Sequence, residues 1–205
     1  MWWWLACTPQ VTAFVNPEQV YVYLPFGGTR TWSYVQDPVA DNLVATNGNA
    51  TFDDEGRAVY AVDFDSVAMP GGAAEWVRTI SWSSTVQDGI LVHAVETPLG
   101  GVMLDPPLVV CDVDIPAKGT GVSTTTDNAE WTSTYVDREA CPGPLSWECL
   151  HFVVDGGDGS AAGSELVGDW WLTVGQGVAG FDLAGDSDAT WGLDGVVCDP
   201  CSGDW

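Results

Sequence analysis

Nowhere in this chain do apolar residues keep a 3.6-residue rhythm over eleven or more positions. An amphipathic helix needs that rhythm to bury one stripe, whereas a half-buried strand needs only every second residue. The alternation is explicit in Arg57-Ala-Val-Tyr-Ala-Val-Asp-Phe64, where Ala58, Tyr60, Val62 and Phe64 share a face, and again in Glu75-Trp-Val-Arg-Thr-Ile-Ser-Trp82. It is richest in Gly168-Asp-Trp-Trp-Leu-Thr-Val-Gly-Gln-Gly-Val-Ala-Gly-Phe-Asp-Leu183. There, adjacent tryptophans must point to opposite faces, a glycine-rich turn follows, and the strand pattern resumes, which is a hairpin signature. Helical bundles and α/β folds are excluded by this pattern, and an antiparallel all-β domain is expected.

Taken in order, Val20–Leu24 reads as a first strand and Arg30–Val35 as a second, with Trp32 and Tyr34 on one face. The stretch from Asp37 to Gly56 is rich in Asn, Asp and Gly and reads as a loop; its sequon Asn49-Ala50-Thr51 is read as chance. Gly89–Val95 follows, then a short strand around Val102–Leu104. Asp105-Pro106-Pro107 stiffens the entry to Leu108–Ile115, where Val109, Cys111, Val113 and Ile115 form a dry face and Asp112 and Asp114 a wet one. Lys118 to Asn128 reads as a Gly/Thr-rich loop. Glu130–Val136 and Trp147–Asp155 flank Cys141-Pro-Gly-Pro144 as a hairpin, and Ala189–Leu193 closes the series. Roughly ten or eleven short strands separated by Gly, Pro and Asp turns make one β domain, over residues 20–197, with no composition break to divide it.

Charge narrows the partners. Asp and Glu total 29 against five Lys plus Arg, a formal charge of −24, and such a surface repels nucleic-acid backbones. Asp outnumbers Glu by 21 to 8, in keeping with acidic turns rather than helices. Asp53-Asp54-Glu55, Asp63/Asp65, Asp155/Asp158 and Asp186/Asp188 supply oxygen ligands in principle, but none forms the ordered Asp-x-Asp-x-Asp-Gly loop with a distal glutamate. No metal site and no cofactor are expected.

Six cysteines, at 7, 111, 141, 149, 198 and 201, suit an exported protein better than a reducing cytosol. Cys141–Cys149 is the first bridge expected, with Cys198–Cys201, or either of these to Cys111, next. A zinc site would want a second pair spaced like Cys198-Asp-Pro-Cys201, and there is none. Met1-Trp-Trp-Trp-Leu-Ala-Cys7 resembles the end of a bacterial lipoprotein signal peptide, in which a small residue precedes the cysteine that is cleaved and acylated. The chain therefore divides into 1–7, a signal remnant with Cys7 as lipidation site; 8–19, a tether; 20–197, the β domain; and 198–205, a cysteine-containing tail.

No reaction motif emerges. The two histidines, His93 and His151, each fall inside a strand, and no serine sits in a Gly-x-Ser-x-Gly elbow. No catalytic residue is assigned and a non-enzymatic role is expected. Trp32, Trp76, Trp82, Trp131, Trp147, Trp170, Trp171 and Trp191 lie in strand patterns, so most should be core, with a minority free to line a groove for an apolar or carbohydrate ligand.

The order of motifs resembles that of a loosely defined group of bacterial exported lipoproteins. Tyr23-Leu-Pro-Phe-Gly-Gly-Thr-Arg-Thr-Trp-Ser-Tyr34 is similar to the opening of their domains and Asp105-Pro-Pro-Leu108 to a mid-domain element. Leu145-Ser-Trp-Glu-Cys-Leu-His-Phe152 resembles their strand after a glycine turn, and Gly168–Phe181 their late tryptophan-rich hairpin. Where that group has glycine-x-x-tryptophan, this chain has Gly119-Thr-Gly-Val122. The resemblance implies a curved antiparallel sheet or half-barrel of about ten strands on a lipid-anchored protein of the bacterial cell envelope, at the outer membrane, periplasmic or surface-exposed. It is expected to act by binding or as a structural surface domain. Alternatives are a carrier holding a lipid or other apolar ligand in its concave face, and a carbohydrate-active enzyme or carbohydrate-binding module.

Overall fold

The computed structural model describes residues 24, 29–36, 42–67, 77–98, 100–126, 129–157, 166–183 and 190–199. Cys7, the tether 8–19, Trp76 and Cys201 lie outside them, as do Val20–Tyr23 and the side chain of Cys198.

Twelve strands and no helix make up the described chain. The first six are β1 (Thr29–Gln36), β2 (Asn42–Phe52), β3 (Ala58–Val67), β4 (Val77–Thr85), β5 (Gly89–Thr97) and β6 (Gly100–Cys111). The second six are β7 (Gly121–Thr126), β8 (Ala129–Ala140), β9 (Glu148–Gly156), β10 (Gly168–Thr173), β11 (Gly177–Leu183) and β12 (Trp191–Asp199). Every pairing is antiparallel, and each strand lies beside its neighbour in sequence except at one join, where β1 pairs with β12 from Thr29↔Asp199 to Gln36↔Trp191. The ladder therefore breaks in mid-chain, between β6 and β7, rather than at the ends.

That seam is bridged by side chains. The Val109 N–H of β6 donates to Thr124 Oγ1 of β7 at 3.2 Å, and Ser133 Oγ of β8 donates to the Val110 carbonyl. The curved antiparallel sheet implied by the resemblance is present, and it curls past a half-barrel to near closure because its two edges meet in this way. The polarity of its faces is plain on β3, where Val62 and Phe64 point inward and are buried while Asp63 and Asp65 are exposed. Apolar inside and acidic outside is the reverse of a membrane-spanning barrel.

A round barrel of this many strands would enclose a wide lumen. This one is flattened and filled. Tyr34 of β1, Phe64 of β3 and Phe181 of β11 pack ring against ring, with centroids 5.5–6.3 Å apart. Trp82 of β4 reaches Trp170 of β10 although five strands separate them along the ladder. The void lined by Leu24, Trp32, Tyr34, Val62, Phe64, Trp82 and Val178 amounts to about 10 Å³, room for one water at most.

Three local departures from the alternation have physical causes. Asp37–Gly56 is not all loop, because β2 occupies 42–52 with Leu43, Ala45 and Asn47 inward. Its third inward position is polar and is satisfied there, since Asn47 Oδ1 accepts the Arg30 N–H. Lys118–Asn128 likewise contains β7, a Ser/Thr strand whose Thr124 and Thr126 are buried, and β-branched threonine suits a pleated surface. The two segments expected around Asp105-Pro-Pro are one strand, β6. Opposite it the register jumps from Val92↔Leu108 to Ala94↔Met103, so that Leu104–Pro107 bulge out. Leu104 stays buried through this irregularity, and Leu108 and Val110 continue on its face, so Val109 points outward while Cys111, expected on the dry face, is buried. β12 runs on through Cys198, paired with Arg30, to Asp199.

Candidate functional site

The connection between β8 and β9 does not leave the sheet as an ordinary hairpin. Cys141 and Cys149 are joined by a disulfide, Cα to Cα 5.1 Å, as the hairpin reading expected. The Cys141 N–H also donates to the Trp147 carbonyl at 2.9 Å. Between them Pro142 and Gly143 fold back over the outer face of the sheet and lie on Gly180 of β11 and Gly192 of β12. A Cβ on Gly180 would sit 2.2 Å from Pro142 Cγ, and one on Gly192 would sit 2.4 Å from the Gly143 Cα. Two glycines facing each other across the ladder make the bed on which this strap rests.

The strap delivers Trp147 to the rim. It is the one tryptophan among the described residues whose exposure, 36 %, ranks it with the exposed large hydrophobics. Beside it opens a groove of about 460 Å³ lined by Arg138, Ser146, Trp147, Glu148, Thr173 and Gln176, among others. Arg138 Nη1 pairs with Glu148 Oε1 at 3.3 Å, and Thr173 Oγ1 donates to the Glu148 carbonyl at 2.9 Å. The far wall is the turn between β10 and β11, which is tied down from inside the barrel mouth. Gly175 O accepts from Arg30 Nη1 at 3.0 Å and Gln176 O from Trp32 Nε1. Because β8 and β10 end here while β1 begins and β12 ends here, the groove shares its rim with both termini of the domain.

One strand-width further along the outer face lies His151 of β9. Its Nε2 is 2.6 Å from Asp169 Oδ1, and its ring stacks on Trp171 with centroids 4.5 Å apart. Glu139 Oε1 lies 2.9 Å from Nδ1 but out of line for a hydrogen bond; it accepts instead from Trp171 Nε1 at 2.7 Å. Both ring nitrogens thus face carboxylates, in a knot that holds three adjacent strands together on the outside. Among the described residues no hydroxyl or thiol is hydrogen-bonded to His151.

His93 has different company. Its Nε2 lies 2.8 Å from Ser83 Oγ, with Ser83 fully buried and His93 8 % exposed. The pair is sealed beneath the surface, so Ser83 cannot be approached by a substrate. Burial, with the nearby Arg57 charge adding to it and Asp53 opposing it, pushes His93 below its ordinary pKa, which favours neutral imidazole. Arg57 itself is held by Asp53 at 2.6 Å and Glu55 at 2.9 Å.

Of the acid groups, Asp63 accepts from Thr79 Oγ1 at 2.7 Å, and Asp53 is occupied by Arg57. Among the described residues no three His, Cys, Asp or Glu side chains converge as a metal-binding set. Cys111 is a free, buried thiol pushed up to about 12 by burial, with Asp112 and Asp114 adding to the shift.

The tryptophans divide as the alternation requires. Trp32, Trp82, Trp131, Trp170 and Trp191 are core, while Trp171 and Trp147 stand outside. Trp171 was recoverable from its neighbour Trp170, since consecutive residues face opposite ways. The His151–Asp169–Glu139 knot carried no sequence signal, because it is assembled across three strands. No protein-family model matches this chain, and neither a curated protein nor a solved structure matches it.

Proposed function

We propose that this chain is an exported, lipid-anchored domain of the bacterial cell envelope that works by binding at its surface and carries no catalytic centre. The single observation behind this reading is the strap. A disulfide between Cys141 and Cys149 belongs to an oxidising compartment, and it fixes the tryptophan that protrudes among the described residues at the lip of the groove. Cys7 would supply the anchor, with 8–19 as its tether. Surface binding is preferred to internal carriage because a void of about 10 Å³ cannot take an acyl chain, whereas small-molecule sites run to about 300–1,000 Å³.

The test is the intact mass of the chain expressed from its native locus, before and after reduction. A diacyl or triacyl addition at Cys7 with the preceding residues removed, together with at least one bridge, supports the reading. A chain still beginning Met1-Trp2 with six free thiols would refute export.

A further inference from the structure

We infer that the groove at Trp147 is a carbohydrate-binding site, and that its ligand is a neutral or amine-bearing oligosaccharide segment. The inference rests on the surface-binding role proposed above and assigns the ligand class to it.

Four observations carry it. First, the indole is presented by a segment that cannot swing away: the disulfide, the Cys141–Trp147 backbone bond and the glycine bed fix its origin. A flat ring held in place suits the C–H face of a pyranose, and pre-organisation spares the ligand the cost of ordering it. Second, the groove does not continue as an apolar slot. Beside the indole and Val174 stand a primary amide (Gln176), a hydroxyl (Ser146) and the Arg138–Glu148 pair. Those groups match a polyhydroxylated ligand, which offers donors and acceptors at each ring position, and do not match an acyl chain. Third, charge selects within the class. The chain carries −24, and Arg138 is engaged by Glu148, so the field at the groove opposes uronic acids, phosphates and sulfates while tolerating amino sugars. Fourth, the cleft is open and of about 460 Å³, within the range of small-molecule sites, so a few sugar rings of a longer polymer can lie in it with the chain passing out at either end.

The experiment uses the full chain with its disulfide intact, titrated calorimetrically with cello-, laminari-, manno-, xylo- and chito-oligosaccharides. A polyglucuronate and a proline-rich peptide serve as comparison probes. Saturable binding of at least one neutral or amino-sugar oligomer is expected, weakened about tenfold by Trp147→Ala and largely kept by Trp147→Phe. Gln176→Ala should weaken it as well. The variants are checked by near-ultraviolet circular dichroism and by mass for the bridge, and Gln176→Ala stands as the readout if Trp147→Ala does not fold. Failure of every oligosaccharide to bind, preference for the polyglucuronate or the peptide, or binding unchanged in both variants would each overturn the assignment. A negative result here leaves export standing, whereas free thiols at Cys141 and Cys149 in the native protein sink export whatever the groove binds.

Discussion

Trp82 of β4 and Trp170 of β10 meet edge to face across the flattened barrel, ring centroids 5.6 Å apart at 75°. Both are 2 % exposed. Their contact is what turns two walls of one continuous sheet into a filled core, so it governs stability more than any surface pair. Truncating either to alanine should cost about 3–5 kcal/mol. The double-mutant cycle should return a coupling of about 0.5–1.5 kcal/mol, read from urea unfolding. Additive losses would mean that the walls are held together elsewhere.

The strap makes a second prediction. Bridging residues eight apart removes roughly 2.5 kcal/mol of chain entropy from the unfolded state. Replacing Cys141 and Cys149 together by serine should lower stability by about that amount. Trp147 fluorescence should also shift and become more quenchable, because the strap then holds only through the backbone bond from position 141 to Trp147 and the seating of Pro142 and Gly143.

Gly192→Ala probes the bed beneath the strap. The added methyl would fall 2.4 Å from backbone atoms of Gly143, where no flexible side chain can yield. A destabilisation of about 1–3 kcal/mol is expected, against little effect from Gly195→Ala, which meets nothing within 4 Å. Equal effects at the two positions would place the cost in the strand rather than in the strap.

Stability should fall with acid in a window set by His93. Its folded pKa lies below the ordinary value of 6.5, chiefly through burial. The unfolded chain therefore takes up a proton where the folded chain does not. Stability is full above about 6.5 and declines as pH falls through the folded value. The groups facing the imidazole are Ser83, Arg57 and Asp53. His93→Gln should flatten that limb while leaving the later acid loss from Asp137, whose carboxyl Lys118 holds below its usual range. Denaturant midpoints at several pH values give both limbs.

Cys111 should resist alkylation at pH 8 in the folded protein, because its thiol is buried and pushed up to about 12. It should label at once in denaturant. Labelling in native buffer would mean that the nearby seam between β6 and β7 opens.

How far the chain could be read in advance follows from what each strand buries. The hairpin Gly168–Leu183 was legible because both its faces carry large apolar groups, and Cys141–Cys149 because a Pro-Gly-Pro turn brings its arms together. β2 and β7 were not legible. Their inward positions include Asn47 and Thr124, satisfied by partners remote in sequence, and Thr126, so the alternation is written in residues that also make loops. β6 was mis-phased because Leu108-Val109-Val110-Cys111 is apolar throughout, so alternation does not choose which of its faces turns inward. The groove could only be guessed as a share of the tryptophans. Trp147 falls on the outward side of the alternation that buries Leu150, Phe152 and Val154, but the groove beside it is built by a loop whose path depends on a glycine pair roughly forty residues downstream.

Closure through β1 and β12 has a mechanical side. Thr29 and Asp199 stand opposite each other at the rim that also carries Trp147. A domain held by the chain preceding Thr29 and pulled by something seated in the groove is loaded along that single rim. Tension then crosses β9, β10, β11 and β12 sideways to reach β1, and the far rim bears none of it. The disulfide lies at the first step of that path, on the strand that takes the pull.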